Sequence, residues 1–184
     1  MPTKRFKQIC SGLFYSKLIY CIQIFGNVWN IPNCDETNRR SRAFTQEDNR
    51  KLQVLQNKIL RLKTGLSFES STASLPTASR DLSIQQLTAY TSLLTAHKCI
   101  IHQEPVYLAS KFRRLPNSTN VSPPNYTLSV SRDGFFYRTA ALYNLLPISL
   151  RSETNPHKFK KLLKPWITAN IPIKPGDRGF FPLN

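Results

Sequence analysis

Residues 45–66, TQEDNRKLQVLQNKILRLKTGL, decide how the rest of the chain is read. Thr45 stands where a helix N-cap belongs and Asp48 follows three residues on, a capping box with Asp in place of the usual Glu. Glu47 and Asp48 suit the positive end of a helix dipole. Leu52, Leu55, Ile59 and Leu62 recur at three- and four-residue steps and read as a core stripe. Gly65 sits where a helix stops. Arg50, Lys51, Lys58, Arg61 and Lys63 fall off that stripe. The result is a cationic amphipathic helix whose outer face meets nucleic acid, a membrane surface or only water.

The whole chain leans the same way. Its 184 residues hold 26 Lys and Arg against 10 Asp and Glu, a formal charge of +16. Such an imbalance points to a polyanionic partner: RNA, DNA or an anionic membrane. Cys10, Cys21, Cys34 and Cys99 are scattered without a CxxC or a zinc spacing. They read as reduced thiols, which places the chain inside the cell, in nucleus or cytoplasm. The sequons at Asn117, Asn120 and Asn125 matter only in a secreted protein. Residues 12–29 are largely apolar, but Lys17 and Gln23 interrupt the run, so neither a signal peptide nor a membrane span is favoured.

Working outward, residues 12–29 read as an apolar helix that buries Leu13, Phe14, Leu18, Ile19, Ile22 and Phe25. Residues 31–44 read as a polar loop, and 66–79 as a Ser/Thr-rich linker. A third helix is expected from about 83 to 101, with Ile84, Leu87, Thr91, Leu94 and Ile101 inward and Tyr90 on its flank. Pro105 ends it, and 105–112 add a short turn. Residues 113–129 are loop by composition. GFFYRTAALYNLLP (134–147) begins as a short strand near 134–138 and finishes as a helix, packing Phe136, Ala140, Leu142 and Leu146. Asn155 and Pro156 open a last helix that turns Phe159, Leu162, Leu163 and Trp166 inward, with Lys158, Lys160, Lys161 and Lys164 outward.

The expected fold is mainly α: a small bundle of four to five helices with long Pro/Ser/Asn-rich loops. Its segments are an N-terminal apolar helix and polar loop (1–44), a basic helical core (45–112), a flexible linker (113–131), an aromatic and basic arm (132–168) and a loose tail (169–184).

Catalytic signals are sparse. The adjacent carboxylates Asp35/Glu36 and Glu47/Asp48 lie in a loop and at a helix start, without the apolar strands that bring metal-binding carboxylates together. His97 and His102 are five residues apart, a poor spacing for one metal, and read as solvated histidines beside a buried Cys99. There is no Gly-rich phosphate loop and no GxSxG. No cofactor, metal or small-molecule substrate is expected. The candidate nucleic-acid-binding residues are Lys51, Lys58, Arg61, Lys63, Arg138, Lys158, Lys160, Lys161 and Lys164. Lysines on helices favour phosphate contacts without base readout. Tyr137 and Tyr143 are candidate stacking surfaces.

The order of four segments adds to this: SKLIYCIQIFGNVW (16–29), LQVLQNKILRLKTG (52–65), LSIQQLTAYTSLLTAHK (82–98) and FFYRTAALYNLLPISLRSETNPHKFKKLLKPWI (135–167). Together they resemble the region that follows the polymerase core in non-LTR retrotransposon reverse transcriptases of the jockey-like and related kinds. The resemblance covers roughly residues 12–167. It implies a thumb-like helical piece of a retroelement polyprotein that holds template, primer or element RNA beside an upstream palm and fingers. It does not imply polymerase activity here, because no segment matches the family's catalytic aspartate pair. Cys21 stands where the family has a glycine after tyrosine, and Phe25-Gly26 replaces a tryptophan–glycine pair. Alternatives are a degenerate remnant with no independent activity, and a basic membrane-associated protein anchored by 12–29.

Overall fold

The structure, a computed structural model, describes residues 4–26, 45–67, 69, 72, 75, 79, 81–122 and 134–172. The chain is mainly helical. In order it forms α1 (Lys4–Phe25), α2 (Gln46–Thr64), α3 (Ile84–His102), the short α4 (Val106–Ala109), strands β1 (Arg113–Arg114) and β2 (Val121–Ser122), α5 (Phe135–Asn144), the short α6 (Ile148–Arg151) and α7 (Pro156–Asn170). Among the described residues no helix is long and apolar enough to cross a membrane.

Helix α3 is the hub: α1, α2, α5 and α7 all pack on it. It is buried nearly all round, including Gln85, Gln86, Thr88, Thr91, Ser92 and His97. Buried polar groups need partners, and the short ones find them inside the helix. Thr88 Oγ1 donates to the Ile84 carbonyl (2.9 Å) and Thr91 Oγ1 to that of Leu87 (3.0 Å). Ser83 and Gln86 form a reciprocal capping box at its start.

The same helix start explains why α2 turns a different face inward from the one its leucines suggest. Thr45, Asp48 and Gly65 cap α2 as its sequence predicts, with Gly65 left-handed at φ 75°. Yet Leu55 and Leu62 are exposed, Leu52 and Ile59 only half-buried, and the buried positions are Asn49, Gln56 and Leu60. A helix N-terminus leaves backbone groups that an aliphatic side chain cannot satisfy. Gln53 Oε1 accepts from the Ile84 amide (2.9 Å), and Gln56 Nε2 donates to the Leu82 carbonyl (2.7 Å). Gln53 Nε2 ties the two together by donating to Gln56 Oε1 (2.8 Å).

Helix α1 starts earlier than expected and buries less. Leu18 and Ile22 are in the core and Phe14 is half-buried, whereas Leu13, Ile19 and Phe25 are exposed. A hydrogen bond from Gln23 to Thr95 fixes it to α3. At its end Gly26 comes so close to α3 that an added Cβ would lie 2.8 Å from the Thr88 methyl. On the opposite side Phe6, Ile9, Leu13 and Tyr20 form one exposed apolar stripe, at successive steps of three, four and seven residues.

Residues 113–122, read above as loop, hold a two-stranded antiparallel sheet pairing Arg113 with Ser122 and Arg114 with Val121. What orders it is Asn144 on α5, whose amide accepts from the Val121 N–H (2.8 Å) and donates to its carbonyl (2.9 Å), as a neighbouring strand would. Residues 134–138 are not a strand: α5 is helical from Phe135. Helical spacing lets Phe136 pack edge-on against Phe112 (5.5 Å) while Ala140, Tyr143 and Leu142 enter the core. Helix α7 begins on Asn155 and Pro156 as predicted and buries Phe159, Leu163 and Ile167, with Trp166 half-buried and Leu162 exposed. The segment expected as a loose tail from 169 begins as helix, and buried Ile171 accepts a hydrogen bond from Gln86 Nε2 (2.9 Å). The polar loop at 31–44 and the tail from 173 lie outside the described residues, as does most of the 66–79 linker.

Gln56→Ala leaves the Leu82 carbonyl without its donor and is expected to lower stability by about 1–3 kcal/mol. The Asn49 amide, buried without a partner among the described residues, gives the opposite expectation: Asn49→Leu should raise stability by about 1 kcal/mol. Urea midpoints of both variants check the pair.

Candidate nucleic-acid interface

The candidate cations divide into two groups. Lys51 and Lys58 project from the outer face of α2, and Lys160, Lys161 and Lys164 from that of α7. Lys160 and Lys161 have no hydrogen bond or ion pair among the described residues. The apolar side of α7 is locked into the core through Phe159, Leu163 and Ile167, so this lysine row stands on a rigid base.

Other candidates are engaged elsewhere. Lys63 turns inward with α2's true buried face and pairs with Asp81 at 2.6 Å, each side chain only about one-fifth exposed. Its ammonium is turned onto that carboxylate, not toward the outer face that its spacing suggests. Lys158 bonds to Glu153 at 2.7 Å, and that bond with the Asn155 amide holds the Glu153 carboxyl below its usual range. Arg61 and Arg138 are half-buried.

Tyr143 cannot stack on a base: it is fully buried. Its hydroxyl donates to the Arg151 carbonyl (3.4 Å) and lies 3.2 Å from His97 Nδ1, and burial pushes its pKa up to about 12. Tyr137 is half-buried on the first turns of α5. His97 is likewise no surface histidine. Its ring lies flat on Phe159, centroids 3.6 Å apart and planes 4° apart, and burial pulls its pKa down to about 4. His102 is exposed, and Cys99 is buried as expected. Arg151, buried as well, donates to the Asn120 side chain and so ties α6 to the hairpin.

Among the described residues no group of three His, Cys, Asp or Glu is placed to hold a metal. Glu47 and Asp48 are used at the α2 start, Glu47 on Arg50 (2.7 Å) and Asp48 on Thr45. Asp35 and Glu36 lie outside the described residues.

Two clefts lie among the described residues. One, of about 350 Å³, is an apolar groove between α1 and α2 in which Lys17 is the one charged lining residue among those described. The other, of about 520 Å³, lies between α3 and the first half of α7. Leu94, Pro156 and Phe159 form its wall, and Lys98, His102 and Lys160 contribute cationic or donor groups. Lys98 was not among the residues singled out by sequence, and His102 was read there only as a solvated histidine; the one available signal was their four-residue spacing on a single helix face. Comparison with family models, curated proteins and solved structures yields no match for this chain.

His97 gives this region a pH signature. Unfolded, it takes up a proton near pH 6.5; folded, only near pH 4. Its contribution is therefore fully present above pH 6.5 and is lost as pH falls toward 4. Between pH 7 and pH 5 this group should lower stability by about 1–2 kcal/mol. Urea midpoints at the two pH values test this, and His97→Gln should flatten the difference.

Proposed function

We propose that this chain is a non-catalytic, nucleic-acid-holding helical module, the post-palm, thumb-like part of a non-LTR retrotransposon reverse transcriptase. The observation that carries the binding reading is the row Lys160, Lys161 and Lys164, exposed along a helix whose other face is fixed in the core. The +16 charge and the order of the four resembling segments support it. The partner in this reading is the RNA–DNA hybrid or element RNA, held by its phosphates inside the cell. RNA-directed polymerisation would belong to an upstream palm with its own aspartates.

A second reading is favoured by the exposed stripe Phe6, Ile9, Leu13 and Tyr20. A degenerate remnant that has lost the cover for α1 would look the same there and would have no independent activity. Loss of cooperative thermal unfolding, together with absent binding, would select it.

A salt titration of binding to a short blunt RNA–DNA duplex separates the two. Binding should weaken linearly on a log–log plot of affinity against salt. Replacing Lys160, Lys161 and Lys164 together by Gln should reduce the slope by about 2–3. A wild-type affinity independent of salt would sink the phosphate-binding claim.

A further inference from the structure

We propose that the cleft between α3 and α7 receives one unpaired nucleotide, its base against the apolar wall and its phosphate at the rim. This rests on the nucleic-acid reading above and names what the cleft adds to it: a preference for a strand with a free base over a closed duplex.

The volume, about 520 Å³, falls within the roughly 300–1,000 Å³ typical of small-molecule sites. The wall is apolar and stiff. Its accessible part is Leu94 and Pro156, the latter fixed in the first turn of α7 by the Asn155 cap, and Phe159, buried and flat against His97, backs it from within. Leu94 faces them from α3. A base face laid on Leu94 and Pro156 removes apolar surface from water on both sides, a gain open to every base. A duplex cannot use it, because its bases are already stacked and paired.

The rim supplies the charge. Lys160 reaches it from the same lysine row that is proposed to hold the backbone, so a strand lying along α7 passes the cleft mouth. Lys98 pairs with Glu104 at 3.5 Å, but both side chains are about two-thirds exposed. Such a pair contributes little, so Lys98 can exchange it for a phosphate at small loss. The Glu104 carboxylate released by that exchange repels an anion, so the proposal seats the phosphate between Lys98 and Lys160 and the base beside Glu104. The same carboxylate can accept a hydrogen bond from the exocyclic amino group of adenine, cytosine or guanine.

The test compares three ligands at one salt concentration by fluorescence anisotropy: a blunt RNA–DNA duplex, the same duplex with a three-nucleotide overhang, and that overhang made abasic with its phosphates kept. The intact overhang should bind about 5- to 100-fold more tightly than the abasic one. Leu94→Trp, which fills the cleft, should remove that difference while leaving blunt-duplex affinity unchanged. Lys98→Glu, at an exposed position, should weaken overhang binding selectively and serves if the Trp variant does not fold. Equal, salt-sensitive affinity for intact and abasic overhangs would overturn the cleft assignment and leave the nucleic-acid reading standing. A preference for the intact overhang that survives in folded Leu94→Trp, or overhang binding that Lys98→Glu leaves unweakened, would also overturn it. Salt-independent or absent binding to the blunt duplex overturns the parent reading, and with it this one.

Discussion

The packing of this protein depends on how the start of α3 is satisfied. A helix buried on all sides brings its first amides and the preceding carbonyl into the interior, where water cannot serve them. Four side chains resolve the problem. Ser83 and Gln86 bond reciprocally across the first turn; Gln53 takes the Ile84 amide; Gln56 serves the Leu82 carbonyl. Gln86 then reaches on to the Ile171 carbonyl at the end of α7. One polar knot thus sets the rotation of α2, anchors α7, and determines which cations on both helices reach the surface. A half-satisfied network of this kind would be worse than an apolar one, which is why its members fix a single arrangement.

A second buried polar chain works at the other end of α3. His97, Tyr143 and the Arg151 carbonyl are linked, and His97 lies flat on Phe159. These contacts join α3, α5, α6 and α7 behind the larger cleft. The wall of that cleft is therefore the outer surface of a core cluster and not a loop, and its shape is set before any ligand arrives.

Helix ends were legible because capping is local: Thr45 with Asp48, Gly65, Asn155 with Pro156 all act within a few residues of the chain. The mainly helical class followed from apolar periodicity. The orientation of α2 was not legible, because a periodicity rule turns leucines inward, while Gln53 and Gln56 are drawn in by a helix thirty residues away. Lys63 misled for the same reason, since its Asp81 partner is set by that rotation. Tyr143 looked like a surface aromatic because nothing near it in sequence announces His97, forty-six residues upstream. The hairpin at 113–122 was hidden by polar composition, its ordering group being Asn144 on another element. Of the site, the lysine row on α7 was visible as a pattern, whereas the cleft beside it needs two helices brought together.

The outer stripe of α1 has a consequence for how the protein behaves in bulk. Copies carrying +16 repel one another at low ionic strength, which keeps Phe6, Ile9, Leu13 and Tyr20 of different molecules apart. Raising salt shortens the reach of that repulsion, from about 10 Å at 0.1 M to about 3 Å at 1 M. Ionic strength therefore acts with opposite sign on two kinds of association: it loosens any grip on a polyanion and lets apolar stripes meet. Dilute, low-salt solution is where this chain should be most nearly a monomer, and concentrated brine is where it should find itself.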